Sequence, residues 1–222
     1  MDALELMKAP HSVRSYNDRK VEAETLSILN SVIEECNNES GLNIQVCLNE
    51  RRAFNSLMAR MQKFSNVSNY IAITGENSKN TEEMVGYYGQ KIVLKATELG
   101  LGTCWVGKSY SKRKCSCETK IGEKLFCVIT FGYSDKGGVP HKTKSIDELS
   151  HVSGEMPDWF RKGMEAAQLA PTALNHQKFQ ISLVGDTVIA KPGFGVSTKI
   201  DLGIVKYHFE LGAGNSNWTW AK

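Results

Sequence analysis

Two similar strings that end helical patterns place the strongest restriction on what this chain can fold into. One is ELGLG at residues 98–102, followed by Trp105, and the other is ELGAG at residues 210–214, followed by Trp218. A helix-ending string that recurs in this way is typical of a chain built from related structural units.

A weaker echo supports the same interpretation. It pairs LNIQ at residues 42–45 with LNHQ at residues 174–177, each before a strand-like run. Taken alone, this echo would favour coincidence. Because both echoes occur in the same order, we expect two related halves, residues 1–150 and a shortened copy at residues 151–222. A pseudo-symmetric binding site formed by the two halves is the corresponding expectation.

Hydrophobic periodicity predicts a mixture of helices and strands. Helices are expected at residues 22–36, 80–99, 157–169 and 199–211. Strands are expected at residues 44–48, 70–74, 125–133, 179–184 and 188–190. The helix at 80–99 has a capping signal in Asn80 and Glu83 and stops at Gly100. The polar stretch 134–153 is typical of a long connector between the halves.

Composition excludes several classes of partner. The 222 residues include 27 basic and 24 acidic side chains, and a net charge of +3 gives no general attraction to nucleic acid or anionic lipid. No apolar run approaches the roughly 20 residues that cross a bilayer. The N-terminus also lacks the pattern of a secretory signal. We therefore expect a cytoplasmic protein with no membrane or nucleic-acid partner.

The six cysteines are expected to be free thiols, since a reducing compartment would keep them reduced. Cys115 and Cys117 lack the two-residue gap of redox and zinc motifs, and no histidine stands at metal-ligand spacing from them. A chance pair in a lysine-rich loop is favoured over a metal site. We expect no metal.

Two polar segments are candidates for binding a phosphate. PHSVRSY at residues 10–16 combines an arginine, which binds oxyanions in a bidentate manner, with hydroxyl donors. HKTK at residues 141–144 adds further charge. Each segment also has a plainer interpretation, namely a polar lead-in to the first helix and a solvated charge cluster. The residues alone leave these alternatives open.

Two other segments suggest contact with a flat ligand. The glycines of GLGTCWVG at residues 100–107 would let backbone groups approach a ring edge, although an ordinary helix end also explains Gly100. This loop leaves a helix instead of opening one, which disfavours a dinucleotide-binding fingerprint. APTALNHQ at residues 170–177 either presents the amide of Asn175 to a ligand or forms a simple turn.

These segments, in this order, resemble the nitroreductase superfamily, specifically the subgroup that joins two half-domains in a single chain. The matching pieces lie at residues 11–16, 87–89, 100–107, 131–133, 144–149, 169–177, 201–204 and 208–211. The resemblance implies an α+β fold with antiparallel-rich sheets flanked by helices, and FMN bound at the interface of the pseudo-dimer. It implies a monomeric pseudo-dimer and leaves further self-association open.

The resemblance also implies which residues contact FMN. The phosphate or the pyrimidine side of the flavin would be held by His11, Ser12 and Arg14, and Lys142 and Lys144 would add charge at the phosphate. Lys63 would contact the ring. The flavin N5 and O4 edge would face the backbone of Cys104, Trp105, Val106 and Gly107. The residues that would pack over the flavin are Pro171, Thr172, Ala173, Leu174 and Asn175.

The chain departs from the family pattern in three places. Lys178 and Phe179 stand where the family has Pro-Trp, and lysines replace arginines in the 142–144 region. The LNIQ echo also lacks the preceding Ala-Pro of its counterpart. We therefore expect one working flavin site per chain.

The implied enzyme is an oxidoreductase that passes a hydride from NADH or NADPH to FMN N5 and then to a small acceptor. The acceptor would be a nitroaromatic, a quinone or a similar compound, reduced in a ping-pong cycle that needs no acid or base side chain. Hydrolase and kinase signatures are not evident, so a borrowed cofactor is the remaining route to catalysis. The alternatives are an FMN-binding protein without turnover, a relative without flavin, and a dehalogenase or flavin-fragmenting enzyme on the same fold.

Overall fold

The computed structural model describes residues 2–9, 12–136, 142–214 and 217–221. Its α-helices are α1 (Ala3–Lys8), α2 (Ala23–Ser40), α3 (Leu57–Met61), α4 (Thr81–Glu98), α5 (Ile146–Leu149), α6 (Asp158–Ala167) and α7 (Thr198–Ala213). Its strands are β1 (Asn43–Cys47), β2 (Tyr70–Glu76), β3 (Gly102–Val106), β4 (Glu123–Gly132), β5 (Ser150–Val152), β6 (Phe179–Val184), β7 (Thr187–Pro192) and β8 (Thr219–Trp220). Short 3-10 turns lie at Lys112–Lys114 and Ala173–Asn175.

Within these residues the strands form two four-stranded sheets. The first sheet has the order β1-β2-β4-β3, and all of its neighbouring strands are antiparallel. The second has the order β5-β6-β7-β8, in which β6 and β7 are antiparallel and the two outer pairs are parallel. The predicted α+β class with antiparallel-rich sheets is confirmed. None of the described helices is long and apolar enough to cross a membrane.

The chain divides into two compact units, each of which contains one sheet. The first-sheet unit comprises Ala9–Thr81 and Lys91–Pro140, and the second-sheet unit comprises Met1–Lys8, Glu82–Gln90 and His141–Lys222. The sequence predicted contiguous halves that meet at residue 150, so the observed division differs. It differs because α7 is buried along much of its length and packs against α1 and the beginning of α4, which come from early in the chain.

The same order of elements occurs twice along the chain. Helix, strand, strand, helix and strand follow one another as α2, β1, β2, α4 and β3, with the short α3 inserted, and again as α6, β6, β7, α7 and β8. The LNIQ and LNHQ echo has no shared local structure, because Asn43 begins β1 whereas Asn175 lies in a 3-10 turn. The relationship of the two halves therefore rests on the order of elements and stays a prediction.

The end of α4 explains one glycine of the 98–102 string. Gly100 has φ of +77°, its N–H donates to the carbonyl of Thr97 (2.9 Å), and the N–H of Leu101 donates to the carbonyl of Ala96 (2.9 Å). This pair of bonds is a Schellman motif, which needs a left-handed residue after the helix. The plainer interpretation of Gly100 as a helix cap is correct.

The start of α4 was predicted at the right place by the wrong mechanism. Asn80 has a helical backbone (φ −102°, ψ −8°) and no side-chain capping bond. A capping side chain requires extended backbone at that position, so Asn80 does not reach the first turn. The hydroxyls of Ser78 and Thr81 hydrogen-bond to each other instead (2.6 Å).

The stretch 134–153 is not a plain connector, and that prediction was wrong in its second part. Residues 146–152 form α5 and β5, and β5 pairs with β6 in the second sheet. A capping box begins α5: the Glu148 N–H donates to the Ser145 hydroxyl (3.3 Å) and the Ser145 N–H donates to the Glu148 carboxylate (2.9 Å). Serine three residues before glutamate is a known start signal, and polar composition concealed it.

Helices α4 and α7 touch backbone to backbone at two glycines of the second-sheet unit. A Cβ at Gly86 would lie 1.9 Å from the carbonyl oxygen of Ile200, and a Cβ at Gly203 would lie 1.9 Å from that of Glu83. No side chain fits in this space, so only glycine permits the crossing.

Polar contacts flank the glycine crossing. The Lys206 ammonium is 2.5 Å from the Glu83 carboxylate, and the Tyr87 hydroxyl donates to the Glu210 carboxylate. The two ring nitrogens of the buried His208 lie 2.8 Å from the Gln90 amide nitrogen and 3.1 Å from the Ala166 carbonyl. A neutral ring that accepts from the amide and donates to the carbonyl satisfies both contacts.

We expect Gly203→Ala to lower the free energy of unfolding by about 2 kcal/mol, because the added methyl group forces two helix backbones apart. Ser27→Ala, at an exposed position of α2, is the matched control and should change it by less than about 0.5 kcal/mol. Urea denaturation followed by tryptophan fluorescence measures both. Stabilisation of Gly203→Ala, as helix propensity alone would give, would contradict the tight crossing.

About half a turn before Gly203, the buried Asp201 holds the segment that follows α6. Its carboxylate accepts a hydrogen bond from the N–H of Ala173 (3.0 Å), and its own N–H donates to the carbonyl of Ser197 (2.9 Å). Desolvation raises the pKa of Asp201 from 3.8 to about 6, against the lowering effect of the Ala173 hydrogen bond. The beginning of α7 thereby positions residues 173–175.

The raised pKa of Asp201 predicts a pH-dependent stability. Because the folded pKa lies above the unfolded one, the contribution is fully present below about pH 4 and is lost as the pH rises through about 6. Relative to Asp201→Asn, the parent protein should lose about 1 kcal/mol of unfolding free energy between about pH 5 and about pH 7. Paired urea titrations at the two pH values test this. A pH-independent difference would show that Asp201 has an ordinary pKa.

Candidate functional site

Residues 12–16 run along the outer edge of β3. The Val13 N–H donates to the carbonyl of Thr103 (2.9 Å), and on the other side the Ser65 N–H donates to the carbonyl of Arg14 (2.9 Å). Since β3 is an edge strand of the first sheet, this segment and residue 65 extend its hydrogen bonding. The segment is therefore held in place by backbone bonds and does not form a loose lead-in.

The buried side chain of Tyr16 fixes the segment to the first sheet. Its buried hydroxyl donates to the carbonyl of Val13 (2.7 Å) and lies 2.7 Å from the hydroxyl of Thr130 in β4. Burial raises the pKa of Tyr16, so the phenol stays neutral. Because the Tyr16 phenol is neutral, it does not offset the positive charge of the neighbouring Arg14.

The segment at residues 100–107 is a strand, whereas the sequence predicted a loop. Residues 102–106 pair with β4 as β3. A Cβ at Gly102 would lie 2.9 Å from both methyl groups of Val13, so this glycine makes room for Val13 and not for a ligand. Alternation along the strand puts the backbone of Trp105 on the same outer edge as the Thr103 carbonyl. That the backbone of Cys104, Trp105, Val106 and Gly107 contacts the flavin stays a prediction.

Ser12, Arg14 and Cys104 come together at this edge. Burial raises the pKa of the Cys104 thiol to about 11, and the nearby Arg14 guanidinium and Ser12 hydroxyl partly offset the shift. The thiol is therefore protonated at neutral pH. Arg14 itself is exposed and lies over the ring of Phe64, 5.9 Å from its centroid.

Lys63, next to Phe64 in the chain, is a second exposed cation. We call Ser12, Arg14, Lys63 and Cys104 the Arg14 cluster. Two of its members have left-handed backbone, with φ of 65° at Ser12 and 63° at Lys63. Such conformations cost energy in residues other than glycine and concentrate at functional sites. His11, also predicted here, lies outside the described residues.

The predicted residues of the second-sheet unit form one hydrogen-bonded group, which we call the Asn175 network. The Asn175 amide donates to the carbonyl of Lys142 (2.8 Å), and the Lys144 N–H donates to the side-chain oxygen of Gln177 (2.7 Å). Gln177 is buried; its amide donates to the carbonyl of Gln168 (2.9 Å), and its N–H donates to the hydroxyl of Thr172 (3.0 Å). The structure thus brings Lys142 and Lys144 next to residues 172–177.

Within the Asn175 network, one acceptor has no partner among the described residues. The side-chain oxygen of Asn175 is buried and makes no hydrogen bond, although the amide nitrogen of the same group is bonded. A buried acceptor without a partner costs about 1–3 kcal/mol and calls for an explanation. A ligand donor at this position would supply the missing bond.

The backbone of this segment is also unusual. Leu174, Asn175 and Gln177 have φ of 53°, 54° and 46°, and the Leu174 side chain is 84% exposed. Sequence reasoning singled out Asn175 but missed Gln177, which organises the segment. A glutamine between two apolar runs gave no signal of its burial.

Lys142 and Lys144 take part in the Asn175 network through different groups, the backbone carbonyl of Lys142 and the side-chain ammonium of Lys144. Lys142 offers its carbonyl to Asn175, whereas the Lys144 ammonium donates to the carbonyl of Gln177 (3.2 Å). The predicted contact of both lysines with a phosphate stays a prediction.

None of the six cysteines, all of which lie in the described part of the chain, forms a disulfide bond. Cys115 and Cys117 are half-buried and pack against the core around Tyr70, so they are more than an exposed chance pair in a loop. Burial raises the pKa of Cys115 to about 12, which keeps the thiol neutral. In the described part of the chain, no group of three or more His, Cys, Asp or Glu side chains is arranged to hold a metal ion.

Comparison with solved structures gives the fold. A protein described as a putative nitroreductase, from Thermotoga maritima, has a TM-score of 0.67 and 24% identity, with 96% of this chain and 83% of that chain covered. A putative nitroreductase from Desulfovibrio desulfuricans, solved in complex with FMN, has a TM-score of 0.53 and 16% identity, with 70% and 96% covered. A putative NADH dehydrogenase/NAD(P)H nitroreductase from Parabacteroides distasonis has a TM-score of 0.52 and 20% identity, with 67% and 96% covered.

Among curated protein sequences, none is significantly similar to this chain. A family model described as "Putative TM nitroreductase" matches residues 2–213, a span that contains the Arg14 cluster and the Asn175 network. The chain therefore belongs to this nitroreductase family of oxidoreductases.

Proposed function

We propose that the protein is an FMN-dependent oxidoreductase that takes electrons from NADH or NADPH and passes them to a small nitroaromatic, quinone or similar acceptor. The observation that carries the proposal is the buried side-chain oxygen of Asn175, which accepts no hydrogen bond from any residue that the structure describes. Family membership and the FMN bound to the Desulfovibrio relative support the choice of flavin.

The chemistry of the residues fits FMN. The ring of this cofactor carries an N–H donor, which the Asn175 oxygen can accept, and its phosphate suits exposed cations. Arg14 supplies five donors in a planar fork, and Ser12 adds a hydroxyl. Each of these groups would form a hydrogen bond with a polar part of FMN and so replace a bond to water.

When bound, FMN supplies a ring that accepts a hydride from the nicotinamide and returns the electrons to the acceptor. The residues of the Arg14 cluster provide binding and a positive field. Because the Cys104 thiol stays protonated, no thiolate neutralises the Arg14 guanidinium. The field therefore remains available to an anion.

The Asn175 network provides a rigid support. The Gln177 N–H donates to the Thr172 hydroxyl and the Ala173 N–H donates to the Asp201 carboxylate, so residues 172–175 are held at two points. The bond from the Asn175 amide to the carbonyl of Lys142 orients the Asn175 side chain. A binding group held in advance pays less entropy when its ligand arrives. That Pro171, Ala173 and Leu174 also contact the flavin stays a prediction.

Arg14→Ala should raise the dissociation constant for FMN about tenfold or more, since a charge-assisted hydrogen bond is lost. Asn175→Ala should raise it about threefold to tenfold. Arg113→Ala and Cys115→Ser are matched controls at an exposed arginine and a half-buried cysteine of the first-sheet unit and should leave it unchanged. Fluorescence titration of free FMN measures all four. Equal constants in every variant would remove both residues from the flavin site.

Turnover needs a separate experiment. Protein loaded with FMN and desalted is mixed with NADH or NADPH without oxygen, and the visible flavin band is followed. Bleaching followed by reoxidation with a nitroaromatic or quinone is the expected result. A retained band that neither nucleotide bleaches would identify a binder without turnover, and the failure to retain any flavin would overturn the proposal.

A further inference from the structure

The loop at residues 193–197, between β7 and α7, carries the most exposed phenylalanine of the second-sheet unit. Phe194 is 99% exposed and Val196 is 66% exposed, and both stand beside glycines. Full exposure of a phenylalanine ring forgoes about 1.5–3 kcal/mol of burial energy. Several exposed apolar side chains that lie close together mark a contact surface, whereas a single one does not.

The Phe194 loop lies at the same end of the second sheet as the Asn175 network. β6 and β7 pair with Phe179 opposite Pro192, and the Gly193 N–H donates to the carbonyl of Lys178 (2.8 Å). Residues 171–177, which precede β6, and the loop, which follows β7, are therefore neighbours at one sheet end.

A second connection runs through the start of α7. Asp201 accepts from the N–H of Ala173 and donates through its own N–H to the carbonyl of Ser197. The two segments are thus held together by the Gly193–Lys178 backbone bond and, through the start of α7, by the Asp201 carboxylate. Leu174, 84% exposed, adds a third apolar side chain at this end of the sheet.

The charge at this end of the sheet is positive. A Cβ at Gly195 would lie 3.3 Å from the Lys178 ammonium, so the glycine leaves room for that charge against the loop. Lys191 and Lys199 are exposed on either side of the loop. The nearby acid, Asp201, is buried and bonded to Ala173. The surface therefore combines a ring and aliphatic groups with cations.

We propose that Leu174, Phe194 and Val196 form the docking surface for the electron acceptor, and that Lys178 selects planar aromatic acceptors with an anionic substituent. This proposal rests on the proposed function and narrows its substrate class. The Phe194 ring stacks on the acceptor, and the Lys178 ammonium pairs with the carboxylate or similar group. The lysines around the loop suit an anionic partner. Charge complementarity therefore favours an anionic small molecule over a second copy of the chain.

The test compares two acceptors of the same shape, anionic 4-nitrobenzoate and neutral 4-nitrobenzamide. Equilibrium dialysis measures the binding of each to the protein in the presence of excess FMN, independently of turnover. Phe194→Ala should weaken both compounds about fivefold, because it removes the stacking ring. Lys178→Gln should weaken 4-nitrobenzoate about threefold and leave 4-nitrobenzamide unchanged, and added salt should reduce this difference.

Two matched controls separate the surface from general effects. Val184→Ala removes an exposed apolar side chain at the opposite end of β6, and Lys79→Gln removes an exposed lysine of the first-sheet unit. Neither should change binding. Circular dichroism and the mass in solution are recorded for every variant.

Each outcome has a defined meaning. Unchanged binding of both compounds in Phe194→Ala and Lys178→Gln, or no binding to the parent protein, would overturn the docking surface. A parent dimer that Phe194→Ala dissociates, with dialysis unaffected, would overturn it in favour of a contact between copies. Selective binding of 4-nitrobenzoate without its reduction would support the surface while the proposed function fails.

Discussion

The close contact of α4 and α7 at Gly86 and Gly203 determines the geometry of the second-sheet unit. Two backbones that touch leave no freedom for rotation or sliding, so the start of α7 has one position. Asp201 lies one half-turn before Gly203 and passes that position on to Ala173 through a buried hydrogen bond. The position of the segment that carries Asn175 thus depends, through Asp201 and α7, on the absence of a Cβ at Gly203.

The first-sheet unit reaches a comparable result by different means. There the support is the Tyr16 hydroxyl, buried between Val13 and Thr130, together with the fit of Val13 over Gly102. In both units, buried hydrogen-bonding groups support residues with left-handed backbone, namely Ser12 in the first and Leu174 and Asn175 in the second. The strain is tolerated because the buried contacts beneath it are strong and specific.

Sequence reasoning located most elements because their signals are local. The periodicity of α2 and α4 and the apolar run of β4 need no knowledge of partners, and the Gly100 cap follows from backbone geometry alone. The strand β3 was taken for a loop because Gly102 begins it and Gly100 and Gly107 flank it. Only the position of Val13, which lies far away in the sequence, explains why Gly102 belongs in a strand.

The same distinction applies to the candidate site. Arg14 and Asn175 were predicted by resemblance to known motifs, whereas Gln177 and Asp201, which hold the second of these, were not predicted as supports. A buried polar side chain is defined by what surrounds it, and a single sequence does not contain that information. The order of helices and strands along the chain is therefore easier to predict than the hydrogen-bonded network that organises a binding segment.

The discontinuity of the second-sheet unit bears on how the protein is made. Residues 82–90 leave the ribosome early, yet the face of α7 that they cover is synthesised more than a hundred residues later. Until α7 has been synthesised, the side of residues 82–90 that packs against α7 lacks this native partner and is open to non-native association. Long-range closure of this kind slows folding. The second-sheet unit can therefore complete its fold only after α7 has been synthesised.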